Sequence, residues 1–144
     1  MGKATIREGK FCSMYYDEDL DLYEQYWSTD SEDMEDEDYK EIHTYLGDYL
    51  IKHSYTPHNF LLDNRENNFS MSPELQEWQA VNVLGRIAAT LPHPERLKIA
   101  VLVSEDFISQ LSIEQAIEEN ETTDDTTKYF EEEQAAREWL FGIS

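Results

Sequence analysis

Apolar positions recur along this chain in short runs and in three- and four-residue spacings, and the two patterns alternate. Lys10–Tyr16 and Leu20–Trp27 are rich in aromatic and β-compatible residues and are separated by Asp17-Glu18-Asp19, which predicts a hairpin with a short acidic turn. Ala4–Arg7 extends the first strand towards the N-terminus, with Glu8-Gly9 as a bulge or turn. A polar loop, Ser28–Asp38, leads into a helix on which Tyr39, Ile42, Leu46, Tyr49 and Leu50 share one face. Tyr55-Thr56-Pro57-His58 breaks that helix, and Phe60-Leu61-Leu62 forms a short central strand ending at Asp63.

Ser72 is a good N-cap and Pro73 a favoured first helical residue. In the helix they open, Leu75, Trp78, Val81, Leu84, Ala88 and Leu91 form one face. Ala80, Val83 and Ile87 widen it, and Pro92 and Pro94 end it. Leu97–Val103 is a continuous apolar run with β-branched residues, the mark of a strand covered on both sides. Ser112-Ile113-Glu114-Gln115 has capping-box spacing for a short helix to about Glu119. Thr127–Phe130 reads as a last edge strand and Glu131–Phe141 as a final helix with Ala135, Ala136, Trp139 and Leu140 inward. Helices between successive strands predict an α/β fold. Its sheet is mixed and mostly parallel, with an N-terminal β-hairpin and about four helices. Trp78, Leu84, Val101 and Trp139 should be mostly buried where these layers meet.

Composition narrows the setting. Hydrophobic residues make up 40% of the chain, with three Trp, nine Tyr and six Phe, which suits a folded domain over residues 1–144. Nothing approaches the roughly 18 apolar residues of a membrane span, the N-terminus lacks a signal-peptide core, and Ile6 spoils a myristoylation pattern. One cysteine, Cys12, fits a reducing compartment, so a cytoplasmic location is expected. The net charge of −21 argues against nucleic acid and anionic membranes, both of which reward Lys and Arg. The acids cluster in Asp17–Glu41 and Glu114–Glu138. A solvated, self-repelling surface accounts for them, and an acidic face for a basic partner is the sharper alternative. Asp33 through Asp38 also complement a helix N-terminus.

Catalytic and metal motifs are missing. Asp17, Asp19 and Asp21 imitate a calcium loop, but Leu22 stands where glycine is required and Ser28 where the bidentate Glu belongs. His43, His53, His58 and His93 have no metal-ligand spacing, and there is no Walker loop, glycine-rich nucleotide motif or GxSxG elbow. No cofactor or metal is expected. The aromatics Tyr15, Tyr16, Tyr23, Tyr26 and Trp27 read as strand core. An exposed hairpin face would instead serve a partner or a homodimer.

The element order, with LLDNRE, SPELQEW, KIAVLVS and the ending YFEEEQAAREWL, resembles the SpoIIAA-like fold of STAS domains and related small bacterial proteins, some of them compared with the lipid-binding Sec14 fold. The likeness spans nearly the whole chain, and its most specific piece is Phe130-Glu131 followed by Ala135-Ala136-Arg137-Glu138-Trp139-Leu140. The resemblance implies a non-enzymatic regulatory domain that binds a protein partner, as anti-sigma-factor antagonists do; the Sec14-like branch implies instead a carrier or sensor of a small apolar ligand. A well-packed interior would favour the first, and a sizeable cavity between sheet and helices the second. In the antagonists a phosphorylatable serine opens the helix after the central strand; the equivalent place here is Phe69-Ser70-Met71-Ser72, without the usual Asp-Ser-Ser-Gly step. Asp63 and Arg65 lie just past a strand's carboxyl end, where α/β sheets commonly place binding residues. Asp63, Arg65, Ser70 and Ser72 are thus the candidate partner or ligand loop.

Overall fold

The computed structural model describes residues 3–67, 69, 72–104 and 126–142. Six strands form one sheet in chain order: β1 (Lys3–Glu8), β2 (Cys12–Asp17), β3 (Leu22–Trp27), β4 (Asn59–Asp63), β5 (Lys98–Leu102) and β6 (Thr127–Phe130). The first three make an antiparallel meander, and β3 through β6 run parallel. The α/β class and the mixed, mostly parallel sheet expected from the sequence are therefore present. Asp17 holds the predicted hairpin turn, its Oδ1 accepting the N–H groups of Asp19 at 3.0 Å and Leu20 at 3.3 Å. Lys3–Glu8 is a strand in its own right and not an extension of β2. Gly9 N–H donates to the Cys12 carbonyl at 3.0 Å and reverses the chain between them.

Helix α1 (Asp36–Lys52) crosses from β3 to β4. Glu35 and Asp38 form a reciprocal capping box, and Asp36, Glu37 and Asp38 fill the first turn, so part of the acidic cluster works locally on the helix end. From β4 to β5 the chain runs through α2 (Pro73–Gln79), a π-helical stretch Ala80–Leu84 and α3 (Gly85–Thr90), which follow one another without a break. Helix α4 (Glu133–Phe141) follows β6 and ends on Gly142 at φ 67°, a left-handed cap that suits glycine. The helix expected to begin at Ser112 lies outside the described residues.

The π stretch has a cause in the sequence. Leu75, Val83, Ile87 and Leu91 are buried and Gln79 faces the same way, a strict period of four. An α-helix turns 3.6 residues per turn, so each step of four drifts by about 40° and the stripe would wander by roughly 160° over its length. One widened turn absorbs a residue and returns the stripe to the sheet. It also corrects an expectation: Val81, placed on the inner face by simple helical spacing, is 66% exposed.

The sheet is covered on both sides. Side chains of β2 (Cys12, Met14, Tyr16), β3 (Tyr23, Trp27), β4 (Phe60) and β5 (Ile99, Val101) meet α1 and the α2–α3 rod in the larger core. Leu22, Leu61, Ala100 and Leu102 point the other way and meet Ala136 and Leu140 of α4. This double coverage is why β5 reads as an unbroken apolar run. Val101 is buried as expected, whereas Trp78, Leu84 and Trp139 are only half-buried. The two indoles sit at layer edges under lysines: Lys40 lies 5.6 Å from the Trp78 ring centre, and Lys98 and Lys128 lie 5.4 and 5.5 Å from that of Trp139.

Candidate functional site

Period-two alternation sends Tyr23, Gln25 and Trp27 of β3 to the α1 side of the sheet, and Phe60 and Leu62 of β4 join them in parallel register. Across from them, α1 contributes Tyr39, His43 and Leu46, and the α2–α3 rod contributes Gln76, Gln79, Val83 and Ile87. These elements do not close on one another. They bound a cavity of about 660 Å³ that is open at one side. Asn64, Arg65, Asn67, Phe69 and Ser104, which follow the carboxyl ends of β4 and β5, also line it. Small-molecule pockets span roughly 300–1,000 Å³ and are mainly apolar with a few placed polar groups. This one falls in that size range, and its lining mixes apolar and aromatic side chains with polar ones such as Gln25, His43, Asn64, Asn67, Gln76 and Gln79.

One wall is aromatic. Tyr39 stacks on Trp27 with ring centres 6.0 Å apart and planes 3° from parallel. Its other ring neighbours include Phe69 at 5.6 Å and His43 at 4.1 Å. Burial pushes the Tyr39 phenol well above its ordinary pKa, so it stays a neutral hydroxyl. The polar groups are as constrained. His43 Nδ1 lies 2.9 Å from the Tyr39 carbonyl, and burial lowers the imidazole to about 4 against the weaker opposing pull of that bond. The Tyr23 hydroxyl donates to Gln25 Oε1 at 2.5 Å, with both residues buried. Asn64 Oδ1 is buried and has no hydrogen-bond donor.

The four residues singled out from the sequence fare differently. Asp63 and Arg65 come together: Arg65 donates through Nε to Asp63 Oδ1 at 3.0 Å and through Nη2 to Oδ2 at 2.7 Å, and its backbone N–H adds a 3.1 Å bond. The pairing to Asp63 raises Arg65 further above its ordinary value. Arg65 thus stands at the cavity rim as a guanidinium already neutralised by its neighbour. Ser72 Oγ accepts the Leu75 N–H at 3.1 Å and works as the N-cap of α2. Ser70 lies outside the described residues.

Sequence reading passed over His43, Gln25 and Asn64 as binding residues; they add to the polarity that Arg65, Asn67, Gln76, Gln79 and Ser104 also bring to the lining. Two of them left a signal: Gln25 interrupts the core face between Tyr23 and Trp27, and His43 sits one turn after Tyr39 on the buried stripe of α1. A polar residue on an apolar face is what a lined cavity needs. Cys12 is a buried thiol pushed up to about 12 by desolvation, which removes its nucleophilic thiolate. Among the described residues no group of three His, Cys, Asp or Glu side chains is placed to hold a metal ion. No helix there is long and apolar enough to cross a membrane. Comparisons with protein-family models, curated proteins and solved structures find no match.

Beneath α4, on the opposite face, Glu24 is fully buried yet ionised in character. Burial works to raise its carboxyl, but Lys3 at 2.6 Å, the Arg137 guanidinium and the Tyr26 hydroxyl at 2.9 Å prevail and hold it below the ordinary value. Arg137 also donates to Glu133 at 3.0 Å. Glu24 Oε1 takes the hydrogen bonds of Arg137 and Tyr26 and Oε2 the ion pair with Lys3, so this cluster anchors α4 to the sheet.

Proposed function

We propose that the protein is a non-enzymatic binding domain of the SpoIIAA-like type that carries or senses a small, mainly apolar ligand between its sheet and its helices. The observation that carries this reading is the cavity of about 660 Å³, walled by Trp27, Tyr39, Phe60, Val83 and Ile87 at the carboxyl end of the parallel strands. A domain whose work is only to dock a protein partner gains nothing from such a void, which forfeits dispersion contacts and apolar burial. The serine-switch reading has less support. Ser72 is engaged in capping, and the segment lacks the Asp-Ser-Ser-Gly step. A regulatory role remains compatible with ligand sensing, the ligand then taking the place of phosphate as the signal.

The test combines two measurements. Native mass spectrometry of the purified protein looks for a retained small molecule. Titration with N-phenyl-1-naphthylamine, an uncharged fluorescent probe, reads cavity occupancy in solution. Micromolar binding that falls at least about tenfold in Val83→Phe, which pushes a ring into the cavity, is expected from a factor equal to about 1.4 kcal/mol. No probe binding and no retained mass would discard the reading.

A further inference from the structure

The hydrogen-bonding pattern of the cavity specifies more than apolarity. A carbonyl oxygen can only accept, so the contact of His43 Nδ1 with the Tyr39 carbonyl at 2.9 Å places the proton on Nδ1. The neutral ring then carries its lone pair on Nε2, and among the described residues that nitrogen has no protein partner. Asn64 Oδ1 is a second acceptor, buried and without a donor. Gln25 is turned the opposite way: its Oε1 is taken by the Tyr23 hydroxyl at 2.5 Å, which leaves the amide N–H groups as donors. Among the described residues the charge on the lining is Arg65, and Asp63 already holds its guanidinium through two hydrogen bonds. Among the described residues no acidic side chain lines the cavity, although the chain as a whole carries −21.

Resting on the cavity reading above, we propose that the ligand is an uncharged planar molecule bearing a hydroxyl or N–H group, which donates to His43 Nε2 and accepts from the Gln25 amide. A single hydroxyl does both, since it has one proton and two lone pairs. The aromatic wall of Trp27 and Tyr39 favours a flat apolar body. A carboxylate is selected against by the lone pair of His43 Nε2, and an ammonium meets no acid among the described residues of the lining. Specificity of this kind is steep, because a ligand without the donor leaves buried protein acceptors unmatched.

Three naphthalenes of similar size separate the possibilities: 2-naphthol has the donor, 2-methoxynaphthalene replaces its proton by methyl, and 2-naphthoate carries a charge. Quenching of tryptophan fluorescence follows their binding, since Trp27 lines the cavity. 2-Naphthol should bind at least about tenfold tighter than the other two, one hydrogen bond's worth. His43→Phe keeps a ring against Trp27 and Tyr39 and should erase the preference for 2-naphthol over 2-methoxynaphthalene. Gln25→Met should weaken 2-naphthol several-fold as an independent check, with circular dichroism confirming that each variant folds. Equal binding of the phenol and its ether in the wild type, or tightest binding of the carboxylate, would overturn the hydrogen-bonding assignment while leaving the cavity reading intact. The same holds if N-phenyl-1-naphthylamine binds and none of the three naphthalenes does. Failure of all four probes would remove both.

Discussion

Burial sets His43 at about 4, against 6.5 for an ordinary histidine, and that difference is a stability statement. Between those values the unfolded chain takes up a proton that the folded chain refuses, so stability falls as the pH drops through this window. The loss should reach roughly 2 kcal/mol at about pH 5. Glu24 and Glu41, whose carboxyls are held down, contribute above the ordinary carboxylate pKa and stay intact until the pH falls below it. Discharging the acidic surface works in the opposite direction, so the variant comparison decides: urea melts of His43→Phe should lose less stability between about pH 7 and about pH 5 than the wild type does. An identical loss in both proteins would mean that His43 is not buried and neutral. The role of this residue was half legible in the sequence. Its place on the α1 stripe follows from spacing alone, but its partner is a backbone carbonyl and it lines a cavity, and neither leaves a trace in residue identity.

At the scale of elements, local signals were reliable where the chain carries its own punctuation. Ser72-Pro73 opens α2, Pro92 and Pro94 close the rod, and β6 runs from Thr127 to Phe130 as the pattern indicates. They failed where long-range geometry intervenes. The separation of β1 from β2 depends on a turn at Gly9, and the exposure of Val81 depends on a widened turn that answers to the sheet. Docking of α4 is another long-range matter. Arg137 looks like a surface arginine in sequence, yet it reaches Glu24 across 113 positions. Replacing it with Met keeps the apolar stem and removes the guanidinium, leaving Glu24 with Lys3 and Tyr26. Because Arg137 and Lys3 are both partly exposed, the cost should be moderate, about 2 kcal/mol by thermal or urea melts. A neutral result would show that Lys3 alone suffices for the buried carboxylate.

On the whole molecule, charge is the dominant unbalanced quantity. Thirty-two acids face eleven Lys and Arg, and several of those bases are already paired, Arg7 with Glu41, Arg65 with Asp63 and Arg86 with Asp48. The remaining acids repel one another across the surface, at distances where salt screens them. The melting temperature should therefore rise on going from low to physiological ionic strength, a dependence that calorimetry reads directly. A flat response would mean that the acids are compensated locally. The α/β class was legible because apolar runs and helical stripes alternate. The cavity was not, since its aromatic and aliphatic walls are of the types that would also fill a solid core, and Gln25 and His43 mark polar positions on those faces without showing a void. Whether facing layers touch or stand apart is decided by the sum of side-chain volumes across them.

The widened turn at Ala80–Leu84 carries a consequence for editing the chain. Removing one residue from within a helix ordinarily turns everything beyond it by about 100° and breaks its packing. Here the rod already holds one residue too many for a regular helix. Without Val81, the inward positions now at Leu75, Gln79, Val83, Ile87 and Leu91 would be spaced by four, three, four and four, which a plain α-helix satisfies. A protein lacking Val81 should fold with a melting temperature near that of the parent, while one lacking Thr44, an exposed residue within the regular α1, should unfold. The reading frame of the rod is, in this sense, already shifted, and a single deletion restores it.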